Sequence, residues 1–425
     1  MENVIEKLEE RGFIEQTTSP ELKEIVKRPL RVYCGFDPTA DGLHVGNMVP
    51  IMGLAWFQRC GHTPVVIVGG ATGMIGDPSG KSNERNLLDE ETLQRNLMGI
   101  QRDLKPILTR APLLPAALYL NNYDWFKKFT MLDFLRDVGK HFRLGVMLGK
   151  DMVRQRLESD DGMSYTEFSY QILQGYDFLH LFREYNVTCE LGGSDQWGNI
   201  IAGCELVRKL TSQQVHGVTF PLLTKADGQK FGKSEKGAIW LSPEKLSPYE
   251  FYQYLFRTDD RDVIKLLRML TFLDMSEIRE IEQSMKRTDY VANQAQKILA
   301  KQVTELVHGE DGVAKALKAT ASVMPGKVSQ VSAEELRQLS KEVPTVKMAK
   351  SECEGHKIVD VIAASQLMPS KGEVRRLIKN GGLFLNNNKV EDEAAIISPQ
   401  DTVEGQFLLF ALGKKNKAII EFESA

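Results

Sequence analysis

Cysteine is scarce in this chain and forms no pattern. Cys34, Cys60, Cys189, Cys204 and Cys353 are odd in number and far apart, no Cys-x-x-Cys pair occurs, and the seven histidines are dispersed. A disulfide framework and a structural zinc site are both excluded as organising devices, and no protein-bound metal is expected. Excess charge of one sign is missing too. The formal net charge is -3, so an RNA partner would have to meet a local basic patch on an overall acidic body. The longest apolar stretch, around Pro64 to Ile75, is short and broken by glycines, which rules out a membrane-spanning helix. The first ten residues form an acidic amphipathic pattern, unlike an apolar-cored secretory signal or an Arg-rich, acid-poor transit peptide. A cytoplasmic location and no membrane partner are expected. Nor is there a Walker-type phosphate loop.

What is present is a chain of 425 residues, 42% hydrophobic and 26% charged, too long for one core and of ordinary globular composition. Residues 30 to about 220 alternate short β-type runs with helical stretches. Arg31–Phe36, Thr63–Val68, Leu118–Leu120 and Val187–Leu191 read as strands. Near-continuous runs such as Val65-Val66-Ile67-Val68 suit strands covered on both faces, hence a parallel sheet with crossover helices. Three of the strands run into glycine-rich polar turns, at Gly35-Phe36-Asp37, Gly69-Gly70-Ala71-Thr72-Gly73 and Gly192-Gly193-Ser194-Asp195-Gln196. Ligands of such sheets bind at the carboxyl ends of the strands. The expected organisation is a Rossmann-like catalytic domain over 1–220, a loop linker over 221–247, an α-helical domain over 248–320, a linker over 321–352 and a small α+β domain over 353–425.

Two motifs carry the chemistry. His44-Val45-Gly46-Asn47 opens a helical stretch just after the first strand and the turn Asp37-Pro38-Thr39. A helix start reached from a strand end offers unpaired N–H groups and a positive dipole end to phosphate. Far downstream, Lys230-Phe231-Gly232-Lys233-Ser234 places two lysines around a glycine, as suits a mobile loop closing on pyrophosphate. A third pattern concerns the substrate. Tyr170, Gln174 and Asp177 are spaced by four and seven residues, behind a Ser164/Glu167 capping box, so they share one helical face. Their neighbours Phe168, Ile172, Leu173, Phe178 and Leu181 are apolar, and a phenol, an amide and a carboxylate beside a core must find partners. They outline a small polar pocket, or else an internal hydrogen-bond cluster.

The two motifs resemble the paired signatures of class I aminoacyl-tRNA synthetases. The blocks YCGFDPTADGLHVGN, GATGMIGDPSGK, NNYDW, SYQILQGYD, GGSDQWGNI and KFGKS, in this order from about residue 30, resemble the tyrosyl-tRNA synthetases of bacterial type. The resemblance implies that Tyr33 and Asp177 bind the phenol hydroxyl of L-tyrosine, that Asp77, Tyr170 and Gln174 hold its α-ammonium, and that Gln196 lies near its carboxylate. It further implies that ATP is bound by Cys34, Asp37, Gly46, Gly192, Gly193, Asp195 and Lys233. Thr39, His44 and Asn47, with Lys81, Arg85, Lys230 and Lys233, would act on the phosphates and the departing pyrophosphate. ATP with Mg2+ is then a substrate, no cofactor is tightly bound, tRNA(Tyr) is the acceptor and a homodimer is expected, with the apolar, basic stretch Trp125 to Leu148 as its interface. One departure is visible: the first signature ends in Asn47 rather than histidine. An amide can still donate a hydrogen bond, with shorter reach and no titratable nitrogen.

Near the end of the chain, Lys371, Arg375, Arg376 and Lys379 share one side of a helix, with Glu373 alone opposing them and Lys389 on the next hairpin. Ordinarily this is a solvated face. The segment SKGEVRRLIKNGGLFLNNNKV, however, resembles the RNA-binding module of the ribosomal-protein S-four type, which implies phosphate contacts from those cations. Three rivals remain at this level. For the related tryptophan enzyme, Asp177 with Tyr33 is the wrong pair, since an indole offers one donor and no acceptor. A non-catalytic RNA-binding protein would not need the lysine pair and Asp195, and a cofactor nucleotidyltransferase would not need the basic tail.

Overall fold

The computed structural model describes residues 2–79, 88–109, 114–159, 162–234, 237–322, 332–340, 343–413 and 416–423. Two compact units account for them, one formed by 1–246 with 253–308, the other by 247–252 with 309–425.

The first unit is built on a six-stranded sheet. Its strands are β1 (Gln16–Thr17), β2 (Arg31–Phe36), β3 (Thr63–Val68), β4 (Leu118–Asn121), β5 (Val187–Gly193) and β6 (His216–Phe220), in the order β1-β6-β5-β2-β3-β4. All neighbours are parallel except β1, which runs antiparallel to β6. The four strands expected from the sequence are all present. β1 and β6 were not expected: β1 has only two residues, and β6 carries a histidine and a glycine that interrupt its apolar run. β3 is buried from Pro64 to Val68, as a strand covered on both faces must be. The chain leaves β2 for β3 and β4 on one side, then returns to β5 on the other. β2 and β5 therefore flank a topological switch point, where a crevice opens at the strands' carboxyl ends.

The helical face predicted around Tyr170 belongs to the helix Tyr165–Tyr185, started by Ser164, whose hydroxyl accepts the Glu167 N–H at 3.2 Å. It ends at Asn186 in the left-handed conformation, φ 52°, a position asparagine tolerates better than most side chains. The stretch 248–320, read from the sequence as one helical domain, is helical but divided between the two units. Its long helix Gln294–Ser322 breaks at Gly309, φ 76°, where the second unit resumes.

That second unit contains a five-stranded sheet. The segment 321–352, read as a linker, contributes the helix Ala333–Leu339 and the strand Thr345–Met348 to it, the strand pairing in parallel with Asn416–Phe422. At Ser332 a full capping box forms, the Glu335 N–H donating to the Ser332 hydroxyl at 3.2 Å and the Ser332 N–H to the Glu335 carboxylate at 3.0 Å, while at Ser370 the Glu373 N–H donates to the hydroxyl at 3.3 Å. The helix Lys371–Lys379 is followed by the hairpin strands Leu383–Leu385 and Asn388–Lys389, joined through Asn386 and Asn387 at positive φ. This is the turn chemistry that matches strand twist.

Candidate active site

At the carboxyl ends of β2 and β5 lies a cavity of about 360 Å3. Sixteen of the residues given a binding or catalytic role from the sequence line it: Tyr33, Cys34, Asp37, Thr39, His44, Gly46, Asn47, Asp77, Tyr170, Gln174, Asp177, Gly192, Gly193, Asp195, Gln196 and Lys230. Lys81 and Arg85 fall outside the described residues, as does the side chain of Lys233.

The floor is a set of buried, oriented groups. Asp177 accepts the Trp125 indole N–H on one carboxylate oxygen at 2.8 Å and the Asn122 amide on the other at 3.0 Å. Asn122 cannot turn its amide round, because its oxygen is held by the Ala71 N–H at 2.7 Å while its nitrogen also donates to Thr72 at 3.0 Å. Asp177 is therefore presented with two donors and no acceptor. Burial pushes its carboxyl pKa well up, while those two donors favour the anion. Tyr33, almost fully buried on β2, points its hydroxyl to the same floor, next to Glu190. These two are register partners on β2 and β5.

A second cluster surrounds the wall carried by the helix Tyr165–Tyr185. The Tyr170 hydroxyl donates to Asp37 at 2.8 Å, and Asp37 takes the Thr72 hydroxyl on its other oxygen at 2.7 Å. Asp37, assigned to the nucleotide by resemblance, thus has both oxygens engaged in fixing Tyr170 and Thr72. Gln174 donates to Glu190 at 2.9 Å, which aims its own carbonyl oxygen elsewhere. Asp77 accepts the Gln196 amide at 2.7 Å and the Ser79 N–H at 3.0 Å. The result is a pocket rich in acceptors, suited to a cation at this wall.

The mouth is where the two motifs meet. Val45 N–H donates to Ile239 O at 2.8 Å, Ile239 N–H to Gly232 O at 3.0 Å, and Leu241 N–H to Leu43 O at 2.8 Å. Gly232, at φ +95°, lies so close to the first motif that a Cβ there would stand 2.7 Å from the Gly46 nitrogen. Only glycine fits. Asn47 turns its side-chain oxygen back to the His44 N–H at 3.1 Å, capping the turn Val45–Asn47 and leaving its amide N–H2 as donor. Lys230 lines the same mouth.

Sequence reasoning gave no role in this site to Glu190, Asn122, Trp125 or Thr72, although Thr72 lies in one of the glycine-rich turns and Asn122 and Trp125 in the block NNYDW. Glu190 carried a signal: a lone carboxylate inside the otherwise uncharged run Val187–Gly193, where an unpartnered charge is costly.

The comparisons with known proteins bear on this geometry. Residues 25–324 match the model of tRNA synthetases class I (W and Y), and residues 335–420 match a tyrosine–tRNA ligase C-terminal domain. The chain is 59% identical to the tyrosine–tRNA ligase of Protochlamydia amoebophila over 99% of both chains. The chain belongs to the tyrosyl-tRNA synthetase family. It is also 49% identical to the chloroplastic/mitochondrial tyrosine–tRNA ligase of Arabidopsis thaliana, over 98% of this chain and 83% of that one. Among solved structures, a C-terminally truncated mitochondrial tyrosyl-tRNA synthetase from Aspergillus nidulans superposes with a TM-score of 0.67 at 32% identity, over 75% of this chain and 94% of that one. The α/β class and the separate C-terminal sheet read from the sequence accord with this membership. Among the described residues no helix is long and apolar enough to cross a membrane.

Proposed function

We propose that the cavity binds L-tyrosine with its phenol at Asp177 and Tyr33 and its ammonium among Asp77, Tyr170 and Gln174, and that ATP occupies the mouth. The reaction is that of a tyrosine–tRNA ligase: tyrosine and ATP give tyrosyl-adenylate and pyrophosphate, and tyrosine then passes to the 3′ end of tRNA(Tyr). The observation that carries the assignment is Asp177, buried and turned acceptor-outward by two fixed donors, beside the Tyr33 hydroxyl. A phenol can donate to the first and accept from the second; an indole cannot do both.

The chemistry needs little proton transfer, because the attacking carboxylate of the amino acid is already ionised. Its attack on the α-phosphorus spreads negative charge over the phosphoryl oxygens, so rate comes from positioning and from fixed positive groups. Gln196 lies where the carboxylate would be steered, and Asp195 with the Gly192-Gly193 backbone forms the side suited to ribose hydroxyls. His44, the Asn47 amide and the backbone at Gly46 face the phosphates, with Thr39, Lys230 and, from the motifs, Lys233, Lys81 and Arg85. Cations that meet the leaving pyrophosphate more tightly than ground-state ATP raise the turnover rate. Mg2+ accompanies ATP as part of the substrate. ATP–pyrophosphate exchange with each of the twenty amino acids tests the assignment: tyrosine alone should support exchange above background, and equal exchange with tryptophan would reject it.

The C-terminal face is assigned to tRNA. The fold corrects its charge environment: besides Glu373, Asp360 pairs with Lys371 at 2.8 Å, and Glu393 lies 3.7 Å from Arg375 and 3.6 Å from Lys379. Exposed pairs of this kind are weak and yield to phosphates. Replacing Arg375 and Arg376 together by alanine should raise the KM for tRNA about tenfold and flatten its salt dependence, while pyrophosphate exchange stays intact. An equal loss in both assays would refute the assignment. Met131, Leu132 and Leu144, 73%, 77% and 61% exposed, give the expected homodimer its apolar surface. A cytoplasmic location goes with this reading.

A further inference from the structure

We infer that Glu190 is a positioning residue that must carry a proton, so that it donates to Tyr33 and Tyr33 in turn donates to the phenol oxygen of the substrate. The inference rests on the tyrosine-binding reading above and extends it to a residue outside the motifs. Three observations lead to it. Glu190 and Tyr33 are register partners on adjacent parallel strands and both line the cavity. The Tyr33 hydroxyl and one carboxyl oxygen of Glu190 are both buried, interact with each other and have no other hydrogen-bond partner among the described residues, while the other oxygen is occupied by Gln174 at 2.9 Å. Finally, Asp37, Asp77, Asp177, Glu190 and Asp195 crowd one cavity, and the amino acid brings a single positive charge to it.

The hydrogen count decides the direction. A substrate phenol has one O–H and acceptor lone pairs, and Tyr33 likewise has one O–H. Asp177 already receives two N–H donors, so it takes the substrate's O–H as an acceptor. Tyr33 must then donate to the substrate oxygen. If Glu190 is ionised, it competes for that same Tyr33 proton, and the substrate oxygen faces a lone pair. If Glu190 is protonated, its O–H supplies Tyr33 and the chain runs in one direction, from Glu190 through Tyr33 and the phenol to Asp177. Of the two buried carboxyls the proton belongs on Glu190, which has one N–H donor against two at Asp177.

Burial raises the Glu190 pKa to about 7, against the hydrogen bond from Gln174 and the interaction with Tyr33 that lower it. The other titratable groups around it are Tyr33 and Cys34 on β2, Asp177 on the helix Tyr165–Tyr185, its neighbour Cys189, Cys204 on the helix Trp197–Thr211, and Asp195. Burial raises the pKa of Tyr33 and of all three thiols, so these stay neutral from pH 6 to 8.5; it also raises those of Asp177 and Asp195, and a slope due to either would persist in Glu190→Gln. Raising pH through 7 ionises Glu190 and removes the donor.

The test is the KM for tyrosine in pyrophosphate exchange with the full-length enzyme from pH 6 to 8.5, for wild type, Glu190→Gln and Glu190→Ala. A glutamine can donate to Tyr33 permanently while still accepting from Gln174. Wild-type KM should rise about tenfold across the range, E190Q should hold the low-pH value throughout, and E190A should be high throughout. A flat wild-type profile, or E190Q behaving as E190A, overturns the inference while leaving the tyrosine assignment intact. Exchange absent with tyrosine at every pH rejects that assignment and this inference with it.

Discussion

Replacing Asp177 by asparagine should lower kcat/KM for tyrosine in pyrophosphate exchange by at least about a hundredfold. Both oxygens of Asp177 face donors that cannot turn away, the Trp125 indole and an Asn122 amide locked by Ala71 and Thr72. An asparagine must present its own N–H2 to one of them, leaving a buried donor unpaired at a cost of about 1–3 kcal/mol. The substrate phenol also loses a charged acceptor, worth roughly 1.5–3 kcal/mol. The sum is several kcal/mol, and every 1.4 kcal/mol is about tenfold. Steady-state exchange against tyrosine concentration measures it, with circular dichroism to check that the fold persists. A loss under about fivefold would show that the phenol is recognised elsewhere.

The second large effect belongs to the mouth. Gly232→Ala should reduce kcat of exchange about a hundredfold with little change in the KM for tyrosine. The added methyl would lie 2.7 Å from the backbone nitrogen of Gly46, at φ +95°. Neither backbone can give way without parting the two motifs, and a strained residue of this kind costs about 1–3 kcal/mol before any overlap. Gly228 is the matched control. It also has positive φ, +84°, but nothing lies within 4 Å of a Cβ there, so G228A carries only the conformational cost. Similar kcat values for the two variants would mean that contact between the motifs is irrelevant to the chemistry.

Much of the fold and the site was legible in the sequence, for identifiable reasons. Continuous Val/Ile runs suit strands covered on both faces, and offsets of four and seven place side chains on one helical face, so β3 and the row Tyr170, Gln174, Asp177 could be located without coordinates. β1 escaped because two residues hold no period, and its pairing with β6 joins positions about 200 apart, Gln16 with Thr219. Orientation inside the site was equally hidden. That Asn122 and Trp125 both aim at Asp177 depends on how β4 ends beside the helix Tyr165–Tyr185, a long-range fact with no local pattern. Asp37, placed by its motif at the nucleotide, also holds Tyr170 and Thr72, a part that no local pattern announced.

A crystal structure of the enzyme soaked with L-tyrosine examines the central claim most directly. It should show the phenol oxygen within hydrogen-bond distance of both Asp177 and Tyr33, with the ammonium among Asp77, Tyr170 and Gln174. An amino acid bound the other way round, or a phenol oxygen facing neither Asp177 nor Tyr33, would contradict the account.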